Sequence, residues 1–364
     1  MRNVFGQNLT VTLFGESHGQ ALGAVLDGVS AGVKINYDYI AHRLDLRRGE
    51  ENISTPRREK DNFKILSGVV NGVATGSPIA FVIENEDTKS QDYSQMSSIA
   101  RPSHADYSAF VKYKGFNDTA GGGHFSGRIT AGIVMAGAVV QKALEEKGIY
   151  IATHLKNVGD VSDRDFCNLN EDITSLNSKV FPVLDEEKGK KMREEILACK
   201  NDGDSIGAVL ETVVVGLKAG LGQPWFDSVE SLISHAMFSI GGVKGIEFGA
   251  GFELSKMRGS VANDPFIIEN GEIKTKTNNN GGLNGGLTNG MPIVFRLAIK
   301  PTPTIFKEQQ TVDFKENAPA TLKAKGRHDP CIAPRIRAVA DALTALTIGD
   351  LLLTQYGENA LCTD

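Results

Sequence analysis

Three short stretches hold side chains that could move a proton. Gly15-Glu16-Ser17-His18-Gly19 follows the strand-like run Leu9-Thr10-Val11-Thr12-Leu13-Phe14 and sets an imidazole between two glycines. An unperturbed histidine titrates at about pH 6.5, which suits acid–base work near neutrality. Arg101-Pro102-Ser103-His104-Ala105-Asp106-Tyr107 offers a second histidine in a loop, because Pro102 blocks regular pairing. Gly326-Arg327-His328-Asp329-Pro330-Cys331 adds a carboxylate just before a helical run. Histidines and an aspartate in separate loops argue for general acid–base catalysis. Each has a plainer reading: His18 as part of a strand-to-strand turn, His104 as a structural histidine.

A second group of residues is suited to holding an anion. Arg43, Arg47, Arg48, Arg57 and Arg58 fall within sixteen residues of a chain whose net charge is −5. Either they form a solvated face paired with Glu50, Glu51 and Glu59, or they build an anion pocket, since guanidinium forks match phosphate and carboxylate. The first three lie on a helix expected from Ile35 to Gly49, with Asn36 as N-cap and Gly49 as stop. Thr119-Ala120-Gly121-Gly122-Gly123-His124-Phe125-Ser126-Gly127-Arg128 runs into a helix expected over Thr130 to Lys147. Such a loop can cradle a phosphate or a cofactor at a helix N-terminus. It fits neither G-x-G-x-x-G nor the P-loop spacing.

The remaining elements are those that must carry these loops. The 364 residues include 40 glycines, clustered between apolar runs. Strands are expected over Gln20 to Val29, Ile65 to Val73, Ile79 to Ile83, Ile206 to Leu217 and Pro292 to Ile299, and in the stretch Ser239 to Gly249. Helices are expected over Leu184 to Lys200, Asp227 to Phe238 and Arg335 to Leu352, with Pro334 suiting the first turn of the last. The Asn- and Gly-rich run from Thr275 to Met291 reads as a ligand-contacting loop. No apolar stretch approaches the length of a membrane span, and the first residues lack a signal-peptide core. Cys167, Cys199, Cys331 and Cys362 form no C-x-x-C pair and read as reduced cytosolic thiols. The charge gives no pull toward nucleic acid or anionic membrane, and no metal-ligand spacing is present. From the residues alone the reading is an enzyme acting on a phosphorylated metabolite.

Gly15-Glu16-Ser17-His18-Gly19 also fits G-x-S-x-G, the nucleophile elbow of serine hydrolases, which requires a helix directly after the serine. The apolar, glycine-containing run that follows reads as a strand. A hydrolase built on Ser17 and a non-catalytic flavin- or phosphate-binding protein both stay open at this point.

Three segments in order resemble the signatures of the chorismate synthase family: Gly15-Glu16-Ser17-His18-Gly19 with Leu22-Gly23, Arg101-Pro102-Ser103-His104-Ala105-Asp106, and Gly326-Arg327-His328-Asp329-Pro330-Cys331. Gly281-Gly282-Leu283-Asn284-Gly285-Gly286 and Lys300-Pro301-Thr302-Pro303-Thr304 are similar to its flavin-side segments. The resemblance implies 1,4-anti elimination of phosphate from 5-enolpyruvylshikimate 3-phosphate to give chorismate, in the shikimate pathway toward aromatic amino acids. It implies a need for reduced FMN without net redox change, with NADPH as one source of the reducing electrons. It further implies a cytoplasmic homotetramer and one domain over residues 1–364, of α/β (α+β) class: a β-α-β sandwich of mainly antiparallel sheets around central helices.

Roles follow by the same resemblance. His104 protonates or hydrogen-bonds the leaving phosphate; His18 sits near the flavin and substrate; Asp329, with Ser17 and Ser126, supports proton removal at the flavin. Arg47, Arg48, Arg101, Arg128 and Arg335 take the substrate's phosphate and carboxylates. FMN contacts fall to His124, Phe125, Ser126, Gly241, Gly242, Gly285, Lys300, Pro301, Thr302, Pro303, Thr304 and Arg327, with no metal. The chain departs from the family pattern at His124-Phe125, at Gly241-Gly242, where only main-chain contacts are available, and at Asn52-Ile53, where relatives often carry another arginine.

Overall fold

The computed structural model describes residues 3–54, 61–85, 98–324 and 329–362. Two five-stranded antiparallel sheets enclose a helical layer. The first has the strand order Val4–Phe5, Thr10–Gly15, Ala21–Asp27, Ile79–Glu84, Phe63–Ser67. The second runs Val243–Phe248, Ile293–Ile299, Ala208–Val215, Tyr150–Val158, Val161–Ser162.

Helix Thr130–Glu146 is apolar on nearly every side, and residues Ala131 to Gln141 are all buried. A helix of that composition is stable only inside a core. It packs on the first sheet, where a Cβ on Gly132 would stand 2.8 Å from the Gly23 carbonyl oxygen. Its other side meets the C-terminal helix Ala333–Tyr356, where a Cβ on Gly137 would overlap Ala342. The C-terminal helix in turn reaches the second sheet: Asp341 Oδ1 accepts from Thr153 Oγ1 at 2.6 Å, and Asp341 also pairs with the buried Arg43 of helix Tyr37–Arg48. One apolar core runs through both sheets and the helices between them. The expected β-α-β sandwich is what the chain forms.

Period-2 alternation divides the second sheet into two faces. Leu155, Leu210 and Leu297 are buried toward the helices, whereas His154, Glu211 and Arg296 stand in register on the other face. Helix Leu169–Ser178 covers part of that outer face through Ile173 and Leu176.

Most expected elements form within a few residues of their predicted bounds. The Ile65 to Val73 strand does not form as one piece. It breaks after Ser67 into a small hairpin, Val69–Val70 against Val73–Ala74, because Asn71-Gly72 takes positive φ at both positions, the geometry of a tight hairpin turn. Helices Asp106–Tyr113 and Leu169–Ser178, strand Tyr150–Val158, and the hairpins Phe266–Glu269/Glu272–Thr275 and Glu308–Asp313/Ala318–Lys323 were not foreseen from sequence. No helix among the described residues is long and apolar enough to cross a membrane.

A device from the far end of the chain fixes the first strand. Asp350 accepts the backbone N–H groups of Gln7, Asn8 and Leu9 at 2.9, 2.7 and 2.8 Å. That carboxylate orients the turn from which Thr10–Gly15 departs, and hence the loop at the strand's other end.

Candidate active site

Residues 16–20 form the turn between Thr10–Gly15 and Ala21–Asp27, with Gly15 paired to Leu22. Asn85, just past strand Ile79–Glu84, braces this turn: its Nδ2 donates to the carbonyls of Glu16 and Gly19 at 3.1 and 2.8 Å. Ser17 is fully buried and donates its N–H to the Gly123 carbonyl at 3.1 Å. A strand follows it, not a helix, so the chain forms no nucleophile elbow and the serine-hydrolase reading falls.

The glycine run assembles the histidines. His124 Nδ1 bonds the Gly15 carbonyl at 2.8 Å, fastening the run to the turn. Gly121 has φ +60°, and a Cβ there would overlap the His18 ring. At Gly122, a Cβ would stand 3.9 Å from both His104 Cε1 and Ser126 Cβ. The two imidazoles therefore border adjacent glycines, although 86 residues separate them in sequence. Phe125 is half-exposed and meets Tyr113 edge-on, with ring centroids 6.1 Å apart.

His104 is oriented from its own loop. Its Nδ1 lies 2.7 Å from Asp106 Oδ1, leaving Nε2 on the side of Gly122. Asp106 also accepts from Arg101 N, Nε and Nη2 at 3.0, 2.8 and 2.7 Å. Burial opposes ionisation of Asp106, but the hydrogen bonds from Arg101 and His104 outweigh it and hold the carboxyl well below the usual range. The loop is clamped from outside: Ser98 Oγ donates to Asp313 at 2.7 Å, Ala100 N–H to the Val312 carbonyl at 3.0 Å, and Phe110 packs on Phe314.

Beyond Ser126 the arginines gather. Arg47 donates through Nε to Thr130 Oγ1 at 3.0 Å and through Nη2 to the Gly127 and Arg128 carbonyls at 3.0 and 3.2 Å. Arg128 pairs with Asp61, while Arg47 and Arg48 approach the same carboxylate at 3.6 and 3.8 Å. Arg335 donates to the Arg47 carbonyl at 3.1 Å and pairs with Asp329 at 2.5 Å. Arg57 and Arg58 lie outside the described residues.

The remaining segments close a circuit. Pro330 accepts from Ile206 N–H at 2.9 Å; Ser205 Oγ donates to the Thr302 carbonyl at 2.7 Å; Lys300 Nζ donates to the Ser103 carbonyl at 2.6 Å, beside His104. Burial, and then the Lys244 charge, push the Lys300 ammonium down. Thr304 is buried at the end of this segment, past Pro301 and Pro303. Thr302 Oγ1 is buried with no hydrogen-bond partner among the described residues. Gly242 accepts from Lys300 N–H at 2.9 Å, and Gly241 has open space where a side chain would stand. Gly285 sits at the exposed tip of the Leu283–Asn284/Leu287–Thr288 hairpin, whose hydrogen bonds run to residues 218–221 and 229. Arg327 lies outside the described residues.

The profile described as chorismate synthase matches residues 9–353. The chain belongs to the chorismate synthase family. It is 45% identical over 348 residues to the chorismate synthase of Pyrococcus abyssi, covering 96% of this chain and 97% of that one. The chorismate synthases of Thermococcus kodakarensis (44% over 348 residues, 96% and 97% covered) and Dehalococcoides mccartyi (44% over 355 residues, 97% and 97% covered) are similar. A crystal structure of chorismate synthase superimposes with a TM-score of 0.77 at 30% identity, over 97% of this chain and 94% of the other. Membership of the chorismate synthase family makes the chain a lyase of aromatic amino-acid biosynthesis.

Three residues of the site were missed from sequence. Asp106 stands two positions from His104, a spacing that in a short loop brings carboxylate and imidazole together. Asn85 and Asp61 left no readable signal, since both act through groups distant in the chain.

Proposed function

We propose that the chain converts 5-enolpyruvylshikimate 3-phosphate to chorismate by 1,4-anti elimination of phosphate with loss of the C6 hydrogen, in the presence of reduced FMN. The observation that carries this reading is the pair of imidazoles, His18 and His104, bordering Gly121 and Gly122 beside the Ser126–Arg128 turn.

The residues fit a flavin. The orphaned Thr302 Oγ1, the open space at Gly241 and the uncrowded face at Gly122, where a Cβ would meet nothing nearer than 3.9 Å, suit a flat polar ring system with a phosphate tail. His124, Phe125, Ser126, Gly242, Lys300 and Thr304 would complete its binding, with Gly285 and Arg327 as further contacts. When bound there, reduced flavin would supply electron density for phosphate departure and an acceptor for the C6 hydrogen.

The chain's own groups do the rest. Arg47, Arg48, Arg101, Arg128 and Arg335 provide the positive field for the phosphate and carboxylates. His104, its Nδ1–H held by Asp106, presents Nε2 toward the leaving phosphate oxygen and donates from it when the ring carries both protons. His18, against Gly121, holds a second proton. Asp329, ion-paired to Arg335, is the carboxylate that with Ser17 and Ser126 returns the proton balance to its starting state.

A cytoplasmic homotetramer of single-domain subunits completes the proposal. Exposed Trp225, Phe226 and Phe252 support self-association, and the continuous core supports one domain. NADPH is the candidate reductant.

The test is anaerobic turnover with dithionite-reduced FMN. Chorismate and phosphate in equal amounts, absent without flavin and strongly slowed in His104→Ala, are expected. No product from folded, flavin-bound protein refutes the proposal and leaves a binding protein. Repeating the assay with NADPH in place of dithionite shows whether the chain reduces its own flavin.

A further inference from the structure

Three guanidinium groups of the site share a carboxylate to which no role has been given. Asp61 is almost fully buried, pairs with Arg128, and lies 3.6 and 3.8 Å from Arg47 and Arg48. It stands two residues before strand Phe63–Ser67, the edge of the first sheet. Phe63 stacks on Tyr37 at the start of the arginine helix, with ring centroids 6.2 Å apart, so this end of the strand and the helix are tied together. Asp61 adopts φ +47°, a region that aspartate and asparagine tolerate better than most residues.

Arginines from two elements converge here: Arg47 and Arg48 from helix Tyr37–Arg48, and Arg128 from the turn after the glycine run. Like charges repel at such range, and long side chains left to themselves spread apart. A buried carboxylate between them lowers that repulsion and fixes each fork. Arg47 shows the result, with its Nε and Nη2 committed to Thr130 and to the carbonyls of Gly127 and Arg128. The same turn carries Ser126, whose Cβ lies on the side of Gly122 that His104 faces.

The geometry points to Asp61 as a positioning residue that sets the affinity of this cluster for the phosphate ester of the substrate. It does not touch the reacting atoms; it acts by holding Arg128 and Arg48 at a fixed distance from Arg47. The inference rests on the reaction proposed above, because it takes that substrate's phosphate as the ligand.

Asp61→Asn is the natural variant, since it keeps the size and the tolerance of positive φ while removing the charge. KM for 5-enolpyruvylshikimate 3-phosphate should rise about tenfold or more, the scale of lost charge-assisted hydrogen bonds. The inhibition constant of inorganic phosphate should rise in parallel, with the smaller part of the loss in kcat. Flavin affinity, measured by fluorescence quenching, should stay close to that of the wild type. KM and phosphate inhibition within about twofold of wild type, or tighter phosphate binding, overturn the inference. If Asp61→Asn does not fold, Asp61→Glu decides by the same measurements. It keeps the charge but moves it by a methylene, and should weaken phosphate at least about threefold; unchanged phosphate inhibition overturns the inference. Wild-type protein without turnover refutes the proposed reaction itself, and this inference with it. Wild-type turnover with an indifferent variant refutes only the role of Asp61.

Discussion

Replacing Asp106 by asparagine should disable the proton donor while leaving the fold standing. The carboxylate accepts four hydrogen bonds: three from Arg101, at 3.0, 2.8 and 2.7 Å, and one from His104 Nδ1 at 2.7 Å. Asparagine offers one accepting oxygen and turns an NH2 group toward former donors. A hydrogen bond to a charged partner contributes about 1.5–3 kcal/mol. Losing the bond to His104 frees its tautomer, and losing part of the Arg101 clamp lets the loop drift. Together these predict a drop in kcat/KM of about a hundredfold to a thousandfold, or roughly 2.7–4 kcal/mol of transition-state stabilisation. That lies inside the range of about 10²–10⁴ typical of general acid–base catalysis. The assay is anaerobic phosphate release with dithionite-reduced FMN, beside circular dichroism of the variant. A folded Asp106→Asn enzyme within about threefold of wild type would show that His104 needs no carboxylate. The sign of the pH effect is also fixed. A carboxyl held below its unfolded value of about 3.9 contributes stability above that pH and loses it as pH falls through the lower folded value. Asp106 should therefore add no pH dependence to activity between about pH 5 and 8.

Gly121→Ala should abolish turnover, because the new Cβ overlaps the His18 ring at a φ of +60°; near-normal rates in that variant would place His18 elsewhere. The buried His154 is pushed down by burial but raised overall by the hydrogen bonds it donates to Asp163 and Glu211, while the hydrogen bonds from His154 and Arg296 outweigh burial to hold Glu211 at about 2. A raised histidine stabilises fully below its unfolded pKa of about 6.5 and loses that contribution as pH rises through the folded value. The wild-type Tm should thus decline above neutral pH, and His154→Gln should lower Tm at pH 6 and flatten the alkaline decline; parallel curves for the two proteins would contradict this. Gly137→Val should cost at least about 2 kcal/mol by forcing the two central helices apart at Ala342. Chemical denaturation reads that loss directly, and an unchanged midpoint would mean the helices give way freely.

The parts of the fold legible in the sequence were those with a local cause. The apolar run of helix Thr130–Glu146 and the Asn36 cap of helix Tyr37–Arg48 are written in adjacent residues, and both formed as read. Helix Asp106–Tyr113 was hidden by the polar loop before it, and its tertiary support, Phe314 against Phe110, comes from some two hundred residues away. The histidine loops could be recognised as chemistry because glycine and imidazole types announce it. That His18 and His104 border adjacent glycines could not be read, because the glycine run, 121–123, that brings them together is distant from His18 in sequence. The partners of the arginines were equally hidden. Asp61 is one acidic residue among many in the sequence, and the packing of the helix end against the sheet edge makes it a hub.

The grip of Asp350 on the amides of Gln7, Asn8 and Leu9 joins residues 341 to 343 positions apart. During synthesis the first strand emerges long before its anchor exists. Strand Thr10–Gly15 can pair with Ala21–Asp27 early, but the turn that aims it waits until the ribosome has made the last helix. Contacts of such separation slow folding and lengthen the time that apolar strands stay uncovered. A nascent chain halted before residue 350 should therefore hold nearly every residue of the site while the turn at Gln7 to Leu9 lacks its anchor.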